Sequence, residues 1–327
     1  MKKIILGILI SIISIVLVYL SVRGINLQDV SIALKKIQFI YVLFFIILVL
    51  IMQWLRSYRW GVILQPMEKI DQLSLFSVTS VGFLAIASIP ARIGELARPY
   101  LISKKSSIKM SSAMGTILVE RVLDGFSVLT IAVVVLFFIE LPSWLIISTF
   151  FVFSLTVVML CFILGLVWHR EKALNIVNKI LSKFHGKFAN KIDELIHHFI
   201  DGFQVITDIK ILLYLFFLSA LVWLVDVLAI YMLLVAFGFN LPVIASFVVM
   251  IFLIVGIAIP TAPGYLGTWH LACVRGVMLF GLAEAEALSF AVVYHFLSMA
   301  IVLVLGVIFL PFNKFSISDM KSRLNYN

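Results

Sequence analysis

The sequence predicts an all-α polytopic membrane protein, with about six full transmembrane helices plus two broken or re-entrant segments arranged as an inverted repeat. Three observations predict it. The 327-residue chain is 63% hydrophobic and 13% charged, where a soluble domain carries about 25% charge. Apolar runs of about twenty residues recur along its length, as bilayer-crossing helices require. Two of those runs end in a proline–glycine motif rather than in a simple loop.

The first run, Ile4–Leu20, follows Lys2 and Lys3 and is followed by "SVRGINLQ". No small-x-small cleavage site is visible there, so it reads as a retained first span rather than a signal peptide. The later runs are Ile37–Leu55, Leu73–Ile89, Ala113–Ile139, Trp144–Trp168, Ile211–Phe237, Pro242–Ile259 and Ala287–Leu310. Runs of this length exclude a membrane β-barrel, whose strands are short and alternating. The chain reads as a single membrane domain, 1–327, with halves 1–168 and 211–310. The connector 170–210 has apolar residues at helical spacing, among them Leu174, Val177, Leu181, Phe199 and Phe203, and lysines elsewhere. That pattern predicts cytoplasmic amphipathic helices lying on the membrane interface.

The net charge of +9 fits basic cytoplasmic loops beside anionic lipid better than nucleic-acid binding. Cys161 and Cys273 lie inside apolar runs, with neither disulfide nor metal-ligand spacing. No Walker loop, zinc spacing or nucleophile elbow is present, so no cofactor, no metal and no fused soluble catalytic domain are expected.

Leu73–Ile89 runs into "PARIGELARP" and Pro242–Ile259 into "PTAPGYLG". Prolines around a glycine end a helix, and the freed backbone groups need partners that lipid cannot supply. Treating both segments as re-entrant, with the N-terminus inside, places nearly all basic residues inside. These include Arg56, Arg59, Lys69, Arg92, Arg98, Lys104, Lys105, Lys109 and the connector lysines. Only Arg23, Lys35 and Lys36 fall outside. Eight full crossings invert that bias. Both termini are therefore expected in the cytoplasm. "IPARIGEL" (Ile89–Leu96) and "IPTAPGYL" (Ile259–Leu266) share I-P-x-x-x-G-x-L, which supports the repeat. Pro90, Gly94, Pro260, Pro263, Gly264 and Gly267 are the expected helix-break and gating positions.

Charges near mid-bilayer cost roughly 2.5–3.5 kcal/mol each on the lenient insertion scale, so they mark pairing, a wet cavity or a ligand. Arg92, Glu95 and Arg98 stand three apart, letting Glu95 pair with either arginine. A surface loop is the bland alternative there. Glu120, Arg121 and Asp124 lie inside an apolar run and read as a cavity lining, with an internal salt bridge as the alternative. Asp226, mid-span in "VWLVDVLA", is a candidate ion or proton site or a helix–helix hydrogen bond. His270 and His295 are candidates for a facing pair, against simple packing. His197 and His198 read as interfacial.

Together "IPARIGELARPYLI", "ERVLDG" and "IPTAPGYLGTWH" resemble the flippase-like family, the membrane region of lysylphosphatidylglycerol synthases and its free-standing relatives. The resemblance covers most of the chain. It implies a cytoplasmic-membrane protein that moves phospholipids or polyprenyl-linked sugars between leaflets. It points to Pro90, Arg92, Gly94, Glu95, Arg98, Glu120, Arg121 and Asp124, and to Pro260, Pro263, Gly264 and Gly267. Where many relatives have an acid and an arginine in the second half, this chain has His270 and His295. The aminoacyl-transferase domain of the fused synthases is not expected here.

The sequence-based expectation is thus a translocase for a phospholipid or polyprenyl-phosphate-linked sugar. Arg92, Arg98 and Arg121 would hold phosphate; Glu95, Glu120 and Asp124 would orient them. Expected partners are that lipid and a cytoplasmic synthase or glycosyltransferase, with no nucleic acid. Alternatives are an intramembrane lipid-modifying transferase using Glu120, Asp124 or His295, and an ion-coupled solute transporter centred on Asp226.

Overall fold

The computed structural model describes residues 37–88, 94–169, 171, 195–258 and 263–313. The expected first span Ile4–Leu20, the connector stretch 172–194, and Pro90, Arg92 and Pro260 lie outside the described residues. The helices are α1 (Phe39–Leu64), α2 (Gln72–Ser88), α3 (Ala97–Lys105), α4 (Met110–Leu136), α5 (Ser143–Trp168), α6 (Ile209–Ala236), α7 (Ile244–Ala258), α8 (Thr268–Met278) and α9 (Glu284–Asn313). No strand occurs among the described residues, and the all-helical polytopic class holds.

α1, α5, α6 and α9, of 26, 26, 28 and 30 residues, are long and apolar enough to cross a membrane. At about 1.5 Å per residue each exceeds the ~30 Å hydrocarbon core. α4 is as long, at 27 residues, but carries Glu120, Arg121 and Asp124 near its middle. The side chain of Asp208 caps α6, accepting from the Lys210 and Ile211 amides. Asp71 does the same ahead of α2 through the Ser74 amide at 2.8 Å. That bond, with the Ser74 hydroxyl second, holds the Asp71 carboxyl below its usual range.

The helix order α6–α9 matches the order α1–α4 in sequence spacing. Phe39 and Ile209, which open α1 and α6, are 170 positions apart, and so are Gly94 and Gly264 after the two breaks. α1 and α6 run antiparallel. The Gln38 amide donates to the Ala236 carbonyl at 2.8 Å near one end, and the Tyr58 and Tyr214 hydroxyls meet at 3.2 Å toward the other. Helices at matching places in the two halves thus run in opposite directions, the relation an inverted repeat requires.

Each broken segment folds back as a helical hairpin. A Cβ at Gly94 would strike the Ala85 carbonyl, and one at Gly82 would strike the stem of Arg98. α2 and α3 are therefore antiparallel, and only glycine lets the chains approach so closely. In the second half Gly256 lies against Ala272 and Thr268, and Gly276 against Val249 and Phe252. Gly264, at φ +71°, takes a left-handed conformation that suits glycine.

Two expectations need correction. α1 does not end at Leu55. Trp60–Leu64 continue its apolar face, so Arg56 and Arg59, which the charge count assigned to a loop, lie within the helix. Arg98 is also buried. The described end of the connector packs its apolar face on protein, while Gln204 and 207–210 are exposed. Phe203 and Val205 are buried in a cluster with Ile63, Leu123 and Leu215, and Ile200 is buried as well. Gly202 fits there because any Cβ would strike the Ser112 carbonyl of α4.

On the loops, Glu68 clasps the α1–α2 turn to the α3–α4 turn. Its Oε2 accepts from the Ser107 hydroxyl at 2.6 Å and the Ser107 amide at 2.8 Å. Those bonds, the hydroxyl first, hold the Glu68 carboxyl below its usual range.

Candidate functional site

A cavity of about 250 Å³ lies where the two hairpins meet α1, α4, α6 and α9. Its charged lining is Arg56, Glu95, Glu120, Arg121, Asp124 and Asp226, and its aromatic lining includes Phe83, Trp223, Tyr265, Trp269 and Tyr294. Apart from Ser298 the rest is aliphatic or methionine, so a few polar groups stand in an otherwise apolar wall.

One wall rests on an ion network. Arg98, 1% exposed, forms a bidentate pair with Glu120, Nη1–Oε1 at 3.1 Å and Nη2–Oε2 at 2.9 Å. Its guanidinium lies 4.3 Å from the Trp60 ring centroid, adding cation–π attraction. The Trp60 indole in turn donates to Thr116 at 3.1 Å. Arg59, also 1% exposed, donates from Nη1 to Asp124 at 2.6 Å and to Ser219 at 2.8 Å. Its Nη2 stands 3.3 Å from Glu120. The Trp223 indole donates to Asp124 at 3.3 Å. Planar guanidiniums with several donors suit this shared pairing, which a lysine could not reproduce. Arg59 and Arg98 thus hold Glu120 and Asp124 at the cavity wall without lining it themselves.

The remaining cations face the space. Arg121 stands 3.9 Å from Asp124, and its side chain is 41% exposed. The Arg56 guanidinium lies 5.4 Å from the Phe83 ring centroid. Deeper in the second half, His295 Nε2 is 2.7 Å from the Gly264 carbonyl. The His270 ring packs edge-on to it at 4.7 Å. The structure therefore places the two histidines side by side, next to Trp269 rather than on the cavity wall.

Of the residues expected from sequence, the structure brings Glu95, Glu120, Arg121, Asp124 and Asp226 to one cavity. Arg98 pairs with Glu120 rather than with the expected Glu95. Gly94, Gly264 and Gly267 lie at the hairpin turns, with Pro263 opening the turn before α8. Sequence reasoning missed Arg59, the hub of the network, and the wall position of Arg56. The sequence carries only a partial signal: no proline separates the two arginines from Trp60–Leu64, but their partners lie far off in the chain.

Among the described residues no group of three or more His, Cys, Asp or Glu side chains could hold a metal ion.

A family model for the transmembrane region of lysylphosphatidylglycerol synthases matches residues 4–306, and the chain belongs to that family. The resemblance read from its motifs is thereby borne out. Curated relatives include a UPF0104 membrane protein of Methanothermobacter thermautotrophicus, 25% identical, covering 89% of this chain and 90% of the relative. The UPF0104 membrane protein MJ1595 of Methanocaldococcus jannaschii is 26% identical, covering 86% and 88%. No solved structure matches the chain.

Proposed function

We propose that this protein is a translocase for a lipid with a phosphate-bearing headgroup, a phospholipid or a polyprenyl-phosphate-linked sugar. The observation that carries the reading is the charged cavity between two inverted helical hairpins, with Arg56 and Arg121 on its wall and a supporting ion network behind it. Inverted repeats with sites at broken helices are the usual architecture of secondary transporters. The headgroup enters the cavity while its chains stay in lipid. Arg121 and Arg56 take phosphate oxygens as planar donors. Arg98, assigned to phosphate on sequence grounds, instead orients Glu120. The two hairpins act as re-entrant gates in a cytoplasmic membrane, with both termini inside. A cytoplasmic synthase or glycosyltransferase supplies the substrate.

The test is transfer of fluorescent-headgroup phospholipids and polyprenyl-phosphate sugars between leaflets of proteoliposomes. Accelerated transfer of at least one, lost in the Arg56→Ala/Arg121→Ala double variant, is expected. Transfer no faster than in protein-free liposomes across the panel would sink the reading.

A further inference from the structure

We propose that Asp226 is a proton-binding site that competes with the anionic headgroup for the guanidinium of Arg56, so that translocation is proton-coupled. The proposal rests on the translocase reading and adds its coupling ion.

Arg56 and Asp226 are equivalent positions of the inverted repeat, separated by the same 170 positions as the first residues of α1 and α6. They stand on neighbouring antiparallel helices and line the same cavity. Neither makes an ion pair within 4.0 Å to a described residue; Arg56 has only the Phe83 ring at 5.4 Å. The other acids on the walls are occupied. From α4, Glu120 is held by Arg98 and Arg59, and Asp124 by Arg59, with Arg121 alongside. Glu95, from the turn before α3, has a partner of its own. Tyr265 is likewise engaged, and Tyr294 of α9 packs against Phe45 and Trp269. The histidines nearest this wall, His270 and His295, pack on each other, and His295 is bound to the Gly264 carbonyl.

An isolated charge in apolar surroundings is costly, and it is neutralised by a proton or by an opposite charge. Asp226 has both routes. With a proton on its carboxyl it is neutral, and Arg56 is left to bind a phosphate oxygen. With that proton released, the carboxylate draws Arg56 across the cavity and the headgroup loses its cation. One proton is therefore bound with each headgroup and leaves with it, which is symport.

The experiment uses the full-length protein in nanodiscs with dihexanoyl phosphatidylglycerol, whose phosphodiester keeps its charge across the range. Wild-type affinity should fall about tenfold per pH unit above the Asp226 midpoint, as linkage to one proton requires. In Asp226→Asn the affinity should be independent of pH. Infrared titration should show a protonated carboxyl band that this variant lacks. A flat wild-type profile, an unchanged slope in Asp226→Asn, no such band, or no binding of the probe at any pH overturns the proposal. The two readings fail separately. Lipid transfer in proteoliposomes that ignores an imposed pH gradient removes the coupling and leaves the translocase. Proton-linked binding without any transfer removes the translocase and leaves the site.

Discussion

Arg59 of α1 and Asp124 of α4 meet at 2.6 Å across 65 positions of sequence, and the same guanidinium reaches Glu120 at 3.3 Å. The pair ties the first long helix to the one that carries the cavity's acids. Glu120 is the more deeply placed of the two, 2% exposed and shared by two arginines. Removing it strands Arg98 and takes from Arg59 one of its two carboxylates. Breaking a buried pair from one side costs roughly 3–5 kcal/mol, so Glu120→Gln should lower the unfolding midpoint in detergent strongly. Asp124→Asn should cost less, because Arg59 keeps Glu120 and Ser219. Equal midpoints for the two variants would contradict this ranking.

The hairpin glycines differ in what a side chain would meet. At Gly94 the obstacle is the backbone of Ala85 and Ile86, which cannot move aside without bending α2. At Gly82 it is the stem of Arg98, a side chain that can shift only at the expense of its Glu120 pair. Gly94→Ala should therefore destabilise more than Gly82→Ala. Gly264→Ala meets only ordinary contacts, the Met299 sulfur at 3.9 Å and the Ala87 carbonyl at 4.0 Å, but keeps φ at +71°, a strain of about 1–2 kcal/mol. Thermal unfolding of the three variants tests the order, and a Gly82→Ala variant less stable than Gly94→Ala would refute it.

Much of this arrangement was legible in the sequence because charges and helix breakers stand out against apolar runs. Glu120, Arg121 and Asp124 stand out that way, and the shared I-P-x-x-x-G-x-L motif marks where α2 and α7 end. Arg59 does not stand out, because "RSYR" reads as the polar end of a span. Whether such a cluster ends a helix depends on partners 65 and 160 residues away, Asp124 and Ser219. The connector was half legible. Its apolar face at Phe199 and Phe203 was evident, but periodicity cannot say whether a face meets lipid or protein. The close approach of Gly202 to Ser112 decides it.

The Glu68–Ser107 clasp gives a pH prediction. The folded carboxyl titrates below its unfolded value of about 4.3, because Ser107 bonds favour the charged form. Its contribution is therefore complete above that value and is lost as pH falls through the folded one. Wild type and Glu68→Gln should differ in protection of the Ser107 amide at neutral pH and converge in acid. A difference that persists unchanged into strong acid would show that the carboxylate is not responsible.

Arg98 and Arg121 should separate structure from transport. Arg98 is spent on Glu120 and the Trp60 ring and does not face the cavity. Arg121 lines the cavity, stands 3.9 Å from its nearest carboxylate and is 41% exposed in its side chain. An exposed, loosely paired arginine contributes little to folding, whereas a buried bidentate one leaves an uncompensated acid when removed. Arg98→Ala should therefore lower the unfolding midpoint, with transfer per folded molecule reduced less. Arg121→Ala should keep the midpoint and lose headgroup transfer by tenfold or more, the loss of one charge-assisted phosphate contact of about 1.5–3 kcal/mol. Arg121→Lys should recover only part of the rate, since an ammonium keeps the charge but not the planar fork. Unfolding midpoints and leaflet-transfer rates on the same preparations decide the matter, and wild-type transfer in Arg121→Ala would remove this residue from the headgroup's path.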